Sequence, residues 1–187
     1  MKLTPEERKN NLVWIDMEMS GLNFETEVIL EVATIVTDKD LNIIAEGPEL
    51  TISQEPELFD KMDDWNQSHH SKSGLWEKVL KSETTVRESE QATLNFIKEY
   101  TNVNTSPLCG NSIAQDRLFI MKFMPELNNY LHYRMIDVST IKELGSRWYP
   151  DELKVPKKSN KHRALDDIRE SIEELKYYRN FLFKDKI

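Results

Sequence analysis

Leu12-Val13-Trp14-Ile15-Asp16-Met17-Glu18 is an apolar run of strand-forming residues crossed by two acids. Side chains of an extended chain alternate between faces, so Asp16 and Glu18 leave the same one. Two carboxylates side by side repel and raise each other's pKa unless a cation lies between them. Hard divalent ions with all-oxygen ligands are the ordinary solution. An isolated Asp-x-Glu is more common on a solvent-facing strand, but Leu12 to Ile15 turn this one toward burial.

Outward from that strand, residues 29–37 form a second β-branched run, predicting an adjacent strand around a turn at Gly21. Residues 41–45 and 49–52 read as a more exposed third strand broken by Gly47-Pro48. Residues 84–100 predict an amphipathic helix capped by Thr84 or Thr85 with Glu88 nearby. Pro107 to Gly110 reads as a short buried strand, with Ser112 as N-cap of a helix running to Met124 and stopped by Pro125. Arg134 to Val138 predicts another strand, and Ser139 a cap for a helix reaching Trp148. Leu165, Ile168, Ile172, Leu175, Tyr178 and Leu182 recur at helical spacing in a last helix over 163–183. The expected fold is α/β: a single domain spanning 1–187, with a mixed central sheet flanked by helices.

The chain has 187 residues, 39% hydrophobic and 31% charged, enough for one good core. Its apolar stretches are too short for a membrane span, and its first nine residues mix acids with bases, unlike a secretory signal. A cytoplasmic protein without membrane association is expected. Cys109, the single cysteine, lies in an apolar run and reads as packing. A net charge of −8 speaks against a protein that coats long nucleic acid, because such binders rely on many Lys and Arg contacts to phosphate. It leaves room for a small phosphate site built on metal ions.

Two further pieces carry chemistry. Asp116 stands one turn into the helix that follows the buried strand, aimed at the end of the sheet; alone it would read as a first-turn acid favoured by the helix dipole. His162 precedes the final helix and Asp167 lies in its first turns, bordering the apolar stripe, whereas Asp166 turns away by about a hundred degrees. In order these give Asp-x-Glu, an Asp on a helix, and His-x-Ala-x-x-Asp near the C-terminus.

That order resembles the DEDDh class of 3′–5′ exonucleases, with their ribonuclease H-like fold. The strings Trp14 to Leu22, Ser112 to Arg117, His132-Tyr133-Arg134, Asp137 to Thr140 and Ala164 to Ser171 are similar to the oligoribonuclease family within it. The resemblance implies two divalent cations, Mn²⁺ or Mg²⁺, held by Asp16, Glu18, Asp116 and Asp167, with Asp16 bridging. His162 would be the general base, a task an imidazole with an unperturbed pKa near 6.5 can perform at cellular pH. The implied substrate is very short single-stranded RNA, released as nucleoside 5′-monophosphates.

By the same resemblance Leu22 and Trp65 stack on bases, and His70, next to His69, contacts the scissile region. Ser112, Arg134, Ser139 and Thr140 would cap the far phosphate of a dinucleotide. Both serines also read as plain helix caps, and the roles are compatible because helix N-termini bind phosphate. Tyr133 would reach toward the partner's site in a homodimer. Lys154, Lys157, Lys158, Lys161 and Arg163 read equally as phosphate attraction or as a solvated loop. Glu31, an acid amid apolar strand residues, is left outside the ligand set. The alternatives are a DEDDh enzyme acting on DNA or structured RNA ends, and a non-catalytic nucleic-acid adaptor.

Overall fold

The structure, a computed structural model, describes residues 3–151, 153 and 163–183. Its five-stranded sheet has the order β3-β2-β1-β4-β5. The central strand β1 (Leu12–Met19) pairs antiparallel with β2 (Ile29–Thr37), which pairs antiparallel with β3 (Ile43–Thr51). On its other side β1 runs parallel to β4 (Leu108–Gly110), which runs parallel to β5 (Met135–Asp137). The sheet is mixed, as expected.

The register explains which face does what. Trp14 lies opposite Ile35, Asp16 opposite Ala33 and Glu18 opposite Glu31, so this face is apolar at one end and acidic at the other. Helix α8 (Ala164–Leu182) covers the apolar end with Ala164, Ile168, Ile172 and Leu175, over Trp14, Ala33 and Ile35. The Trp14 indole, fully buried, donates to Thr37 Oγ1 at 3.0 Å, which satisfies its one polar atom. The opposite face carries Val13, Ile15, Met17, Val32 and Val36. They pack against α4 (Val86–Tyr100), α5 (Ala114–Phe123) and α6 (Pro125–Tyr130) through Leu94, Ile97, Phe119, Ile120 and Leu127. Each fully buried Val, Ile or Leu contributes roughly 1.5–3 kcal/mol.

The capping box of α4 is as read: Thr85 Oγ1 accepts from the Glu88 amide and Glu88 Oε2 from the Thr85 amide. Elsewhere the local signals were overridden. β3 runs unbroken through Gly47-Pro48, because it is an edge strand and the bulge in its pairing falls there, between Ala33 and Ile35 of β2. A Cβ on Gly47 would lie 2.6 Å from the Phe96 ring, so the glycine also admits α4. No tight turn forms at Gly21: β1 ends at Met19 and β2 begins at Ile29, leaving a nine-residue loop over 20–28. Lys122 of α5 ties that loop down by donating to the Phe24 and Glu25 carbonyls at 2.8 and 2.9 Å.

Between β3 and α4 come a short 3₁₀ helix (Pro56–Lys61), α2 (Asp64–Lys72) and α3 (Leu75–Lys81), whose Leu75 and Val79 bury against Leu30 and Met62. α1 (Pro5–Asn10) precedes the sheet, and α7 (Val138–Trp148) follows β5 directly. Among the described residues no helix is long and apolar enough to cross a membrane. Cys109 is fully buried, and burial pushes its thiol far up, as the packing role requires.

Candidate active site

The acidic end of the β1 face meets the start of α8. There Asp16, Glu18 and Asp167 each offer a carboxylate oxygen, and the three oxygens lie within 4.8 Å of one another. Asp167 follows one residue before buried Ile168, so the helix that seals the apolar half also brings its acid to the other half.

Asp116 reaches the same corner from the other side. β4 pairs only with Val13 and Trp14 of β1 before it ends, so β1 runs on without a parallel neighbour. The Met17 N–H beyond that point donates to Asp116 Oδ1 at 3.1 Å, and Asp116 is 6% exposed. Gly110 permits the turn from β4 into α5: a Cβ there would lie 2.8 Å from Ile113 Cδ1 and 3.2 Å from the Ile15 carbonyl.

Burial, reinforced by Asp167, Glu31 and Asp116, pushes the Glu18 carboxyl up to about 8. Burial likewise raises Asp116 to about 7; its own amide and that of Met17 oppose the rise, and Asp137 adds to it. A fold that gathers acids at this electrostatic cost fits a divalent cation, which removes the repulsion and supplies the missing charge. His162 lies outside the described residues, as do Lys154, Lys157, Lys158 and Lys161.

Beside the acids opens a cleft of about 400 Å³, lined among others by Glu18, Leu22, Asp63, Trp65 and Asn66. Leu22 is 75% exposed and Trp65 67%, so neither is core. The Trp65 ring stacks on His69 at 4.7 Å and 8°, leaving its exposed side to the cleft. His70 is buried, with its Nε2 2.9 Å from the Met19 carbonyl, to which that nitrogen must donate. Burial pushes its imidazole below the ordinary value, against the raising effects of Met19 and Asp63. His70 thus braces the end of β1 beside Glu18. His69, which no motif singled out, also offers a ring nitrogen near Glu18, together with His70.

The hydroxyls gather at the start of α7, though in a different local arrangement from the expected one. Ser112 is not a helix cap: it has φ 51°, and α5 begins behind Ile113 without a side-chain cap. Ser139 is not a cap either. Asp137 is, its Oδ1 accepting from the Ser139 amide at 2.9 Å and also from the Ser112 amide at 2.9 Å. Ser112 Oγ and Ser139 Oγ stand 3.2 Å apart, with exposed Thr140 next on the helix. Arg134 is exposed, its Nε donating to the Tyr133 hydroxyl at 3.1 Å, and Tyr133 is 73% exposed.

Asp137 is the residue the sequence reading passed over. Asp137-Val138-Ser139 is an Asp N-cap followed by its N2 donor, a signal obscured by the competing Ser139. Replacing it, Asp137→Ala, should cost about 1 kcal/mol of stability through the lost cap, a fall in Tm of roughly 2–4 °C in a calorimetric scan.

The family model for exonucleases, RNase_T, matches residues 13–175. The oligoribonuclease of Haemophilus influenzae strain PittGG is 57% identical over 176 residues, covering 94% of this chain and 97% of that one. The mitochondrial oligoribonuclease of Homo sapiens is 51% identical over 183 residues, covering 97% of this chain and 77% of that one. Among solved structures, the zinc-bound complex of E. coli ExoI with single-stranded DNA superposes with a TM-score of 0.71 at 14% identity, over 92% of this chain and 41% of that one. Exonuclease I of Methylocaldum szegediense gives 0.67 at 17% identity, over 93% and 41%. The two structures establish the exonuclease fold; the sequence relatives, matched almost end to end, establish that this chain belongs to the oligoribonuclease family.

Proposed function

We propose that this chain is a 3′-to-5′ exoribonuclease that hydrolyses very short oligoribonucleotides to nucleoside 5′-monophosphates with two divalent cations, Mg²⁺ or Mn²⁺. The carrying observation is the convergence of Asp16, Glu18 and Asp167 within 4.8 Å, beside a cleft flanked by exposed Leu22 and Trp65. The match over residues 13–175 supports treating 1–187 as one exonuclease domain.

Asp16, Glu18, Asp116 and Asp167 hold the cations. Once bound, the cations would supply activation of the attacking water and neutralisation of charge on the reacting phosphate. The Met17 amide fixes the direction of Asp116, so one ligand is set before any ion arrives. Leu22 and Trp65 take bases by flat apolar contact, which reads no sequence. His70 holds the β1 terminus, and with it Glu18 beside the scissile region, through the Met19 carbonyl. His162 takes a proton from the attacking water, a role it receives from its position in the motif. Ser112, Ser139 and Thr140 donate hydroxyls to the far phosphate, joined by Arg134 when its guanidinium turns from Tyr133. A far phosphate capped in this way favours short substrates.

The homodimer and Tyr133's reach toward the partner's site belong to the same reading; they are supported by the exposure of Tyr133, Met135, Leu144 and Trp148, all large apolar side chains. A cytoplasmic location is part of it too, consistent with a lone buried cysteine.

The deciding experiment incubates the protein and Mn²⁺ with a 5′-labelled diribonucleotide, with its deoxyribonucleotide counterpart and with a longer single-stranded RNA. The dinucleotide should turn over faster at equal concentration. Equal rates would remove the short-substrate claim, and a preference for a DNA substrate would favour the DNA-directed alternative.

A further inference from the structure

The register that aligns Asp16 with Glu18 brings another acid to the same place. Glu31 of β2 stands directly opposite Glu18 and is 3% exposed. Directly opposed antiparallel residues have Cβ atoms about 4.5–5.5 Å apart, so a buried carboxylate sits against one already crowded by acids. Such a group is destabilising unless it is paired. It is paired: Glu31 Oε1 accepts from Thr51 Oγ1 at 3.2 Å and lies 3.5 Å from the Lys78 ammonium. Lys78 arrives from α3, with its side chain 44% exposed, whereas Glu31 has no comparable access to water.

We propose that Glu31 and Lys78 form a charge pair that sets the cation affinity of the site through Glu18, Glu31 strengthening it and Lys78 weakening it. This rests on the reading of Glu18 as a metal ligand. Asp16, Glu18, Asp116 and Asp167 carry four negative charges when ionised, which two divalent ions balance. Glu31 adds a fifth behind Glu18, and Lys78 offsets it from the outer side. Glu31 is a positioning residue: Thr51 fixes it from one edge of the sheet, and its charge acts on the ions through the ligand it faces. If the pair were only a structural tie between β2 and α3, removing either partner would loosen the same strand and weaken ion binding in the same direction. A charge pair instead gives opposite signs.

Substrate-free protein is titrated calorimetrically with Mn²⁺ for the parent, Glu31→Gln, Lys78→Met and the double variant. Glu31→Gln keeps the volume and an acceptor for Thr51, and it should weaken Mn²⁺ binding by about tenfold, through loss of a unit negative charge close behind Glu18. Lys78→Met, at a half-exposed position where misfolding is not an issue, should tighten binding by roughly two- to fivefold. The double variant should fall between the two. The Mn²⁺ concentration for half-maximal RNA turnover should move in the same order. Single variants that both weaken binding, or that both leave it unchanged, overturn the proposal while the metal reading of Glu18 stands. A parent protein that binds no Mn²⁺ overturns both.

Discussion

Glu18→Gln is expected to raise the melting temperature of the metal-free protein while lowering RNA turnover at saturating Mn²⁺ by about three orders of magnitude or more, since several kcal/mol of charge stabilisation depend on the ligand set. The two effects share one cause. Burial and three neighbouring acids hold the Glu18 carboxyl up at about 8, against an ordinary value of 4.5. Gln has the same shape without the charge, so the repulsion vanishes along with the ion. Each kcal/mol relieved moves Tm by about 2–4 °C in a chain of this size.

The pH dependence follows in sign. The folded protein keeps on Glu18 a proton that the unfolded chain releases, so the metal-free fold is favoured by this group below pH 4.5. That contribution is lost as pH rises toward about 8. Melting scans of the metal-free parent should therefore show Tm falling over this window more steeply than in the variant. A Gln variant that melts below the parent, or with the same slope, would mean that the acidic corner is not under repulsion.

Trp65→Ala should lower kcat/KM on a dinucleotide by about one to two orders of magnitude, since stacking of one base on an aromatic contributes about 1–3 kcal/mol. Stability should barely change, because the ring is two-thirds exposed and its main partner is His69. The loss should be similar for purine and pyrimidine 3′ ends, and it should reside mostly in KM if the ring binds ground and transition states alike. A large drop in Tm with unaltered KM would assign Trp65 to the scaffold.

The acids of β1 were legible because period-two alternation and flanking apolar residues depend only on local chain geometry. Asp167 was legible for a similar reason, as its distance from Ile168 fixes its side of α8. The arrangement around Asp116 was not. Its bond to the Met17 amide depends on where β4 stops, which is a property of the assembled sheet. Gly47-Pro48 reads as a break in isolation, and only an edge position makes it tolerable. Ser112 at φ 51° carries no glycine or asparagine to announce a left-handed turn, and the two amides donating to Asp137 belong to segments 27 residues apart. Glu31 stands out as an acid in a strand, but its partner across the ladder appears only with the register. Local alternation survives into the fold, whereas pairings between distant segments do not announce themselves.

The early end of β4 has an architectural meaning. Had that strand continued beside β1, its backbone would have claimed the Met17 N–H, completing the sheet and leaving Asp116 without its anchor. Secondary structure and chemistry therefore compete for one hydrogen atom. With Asp116 in the proposed ligand set, a sequence change that lengthened the ladder would add a sheet hydrogen bond at the expense of turnover, so a sturdier sheet and a working site oppose each other at this amide.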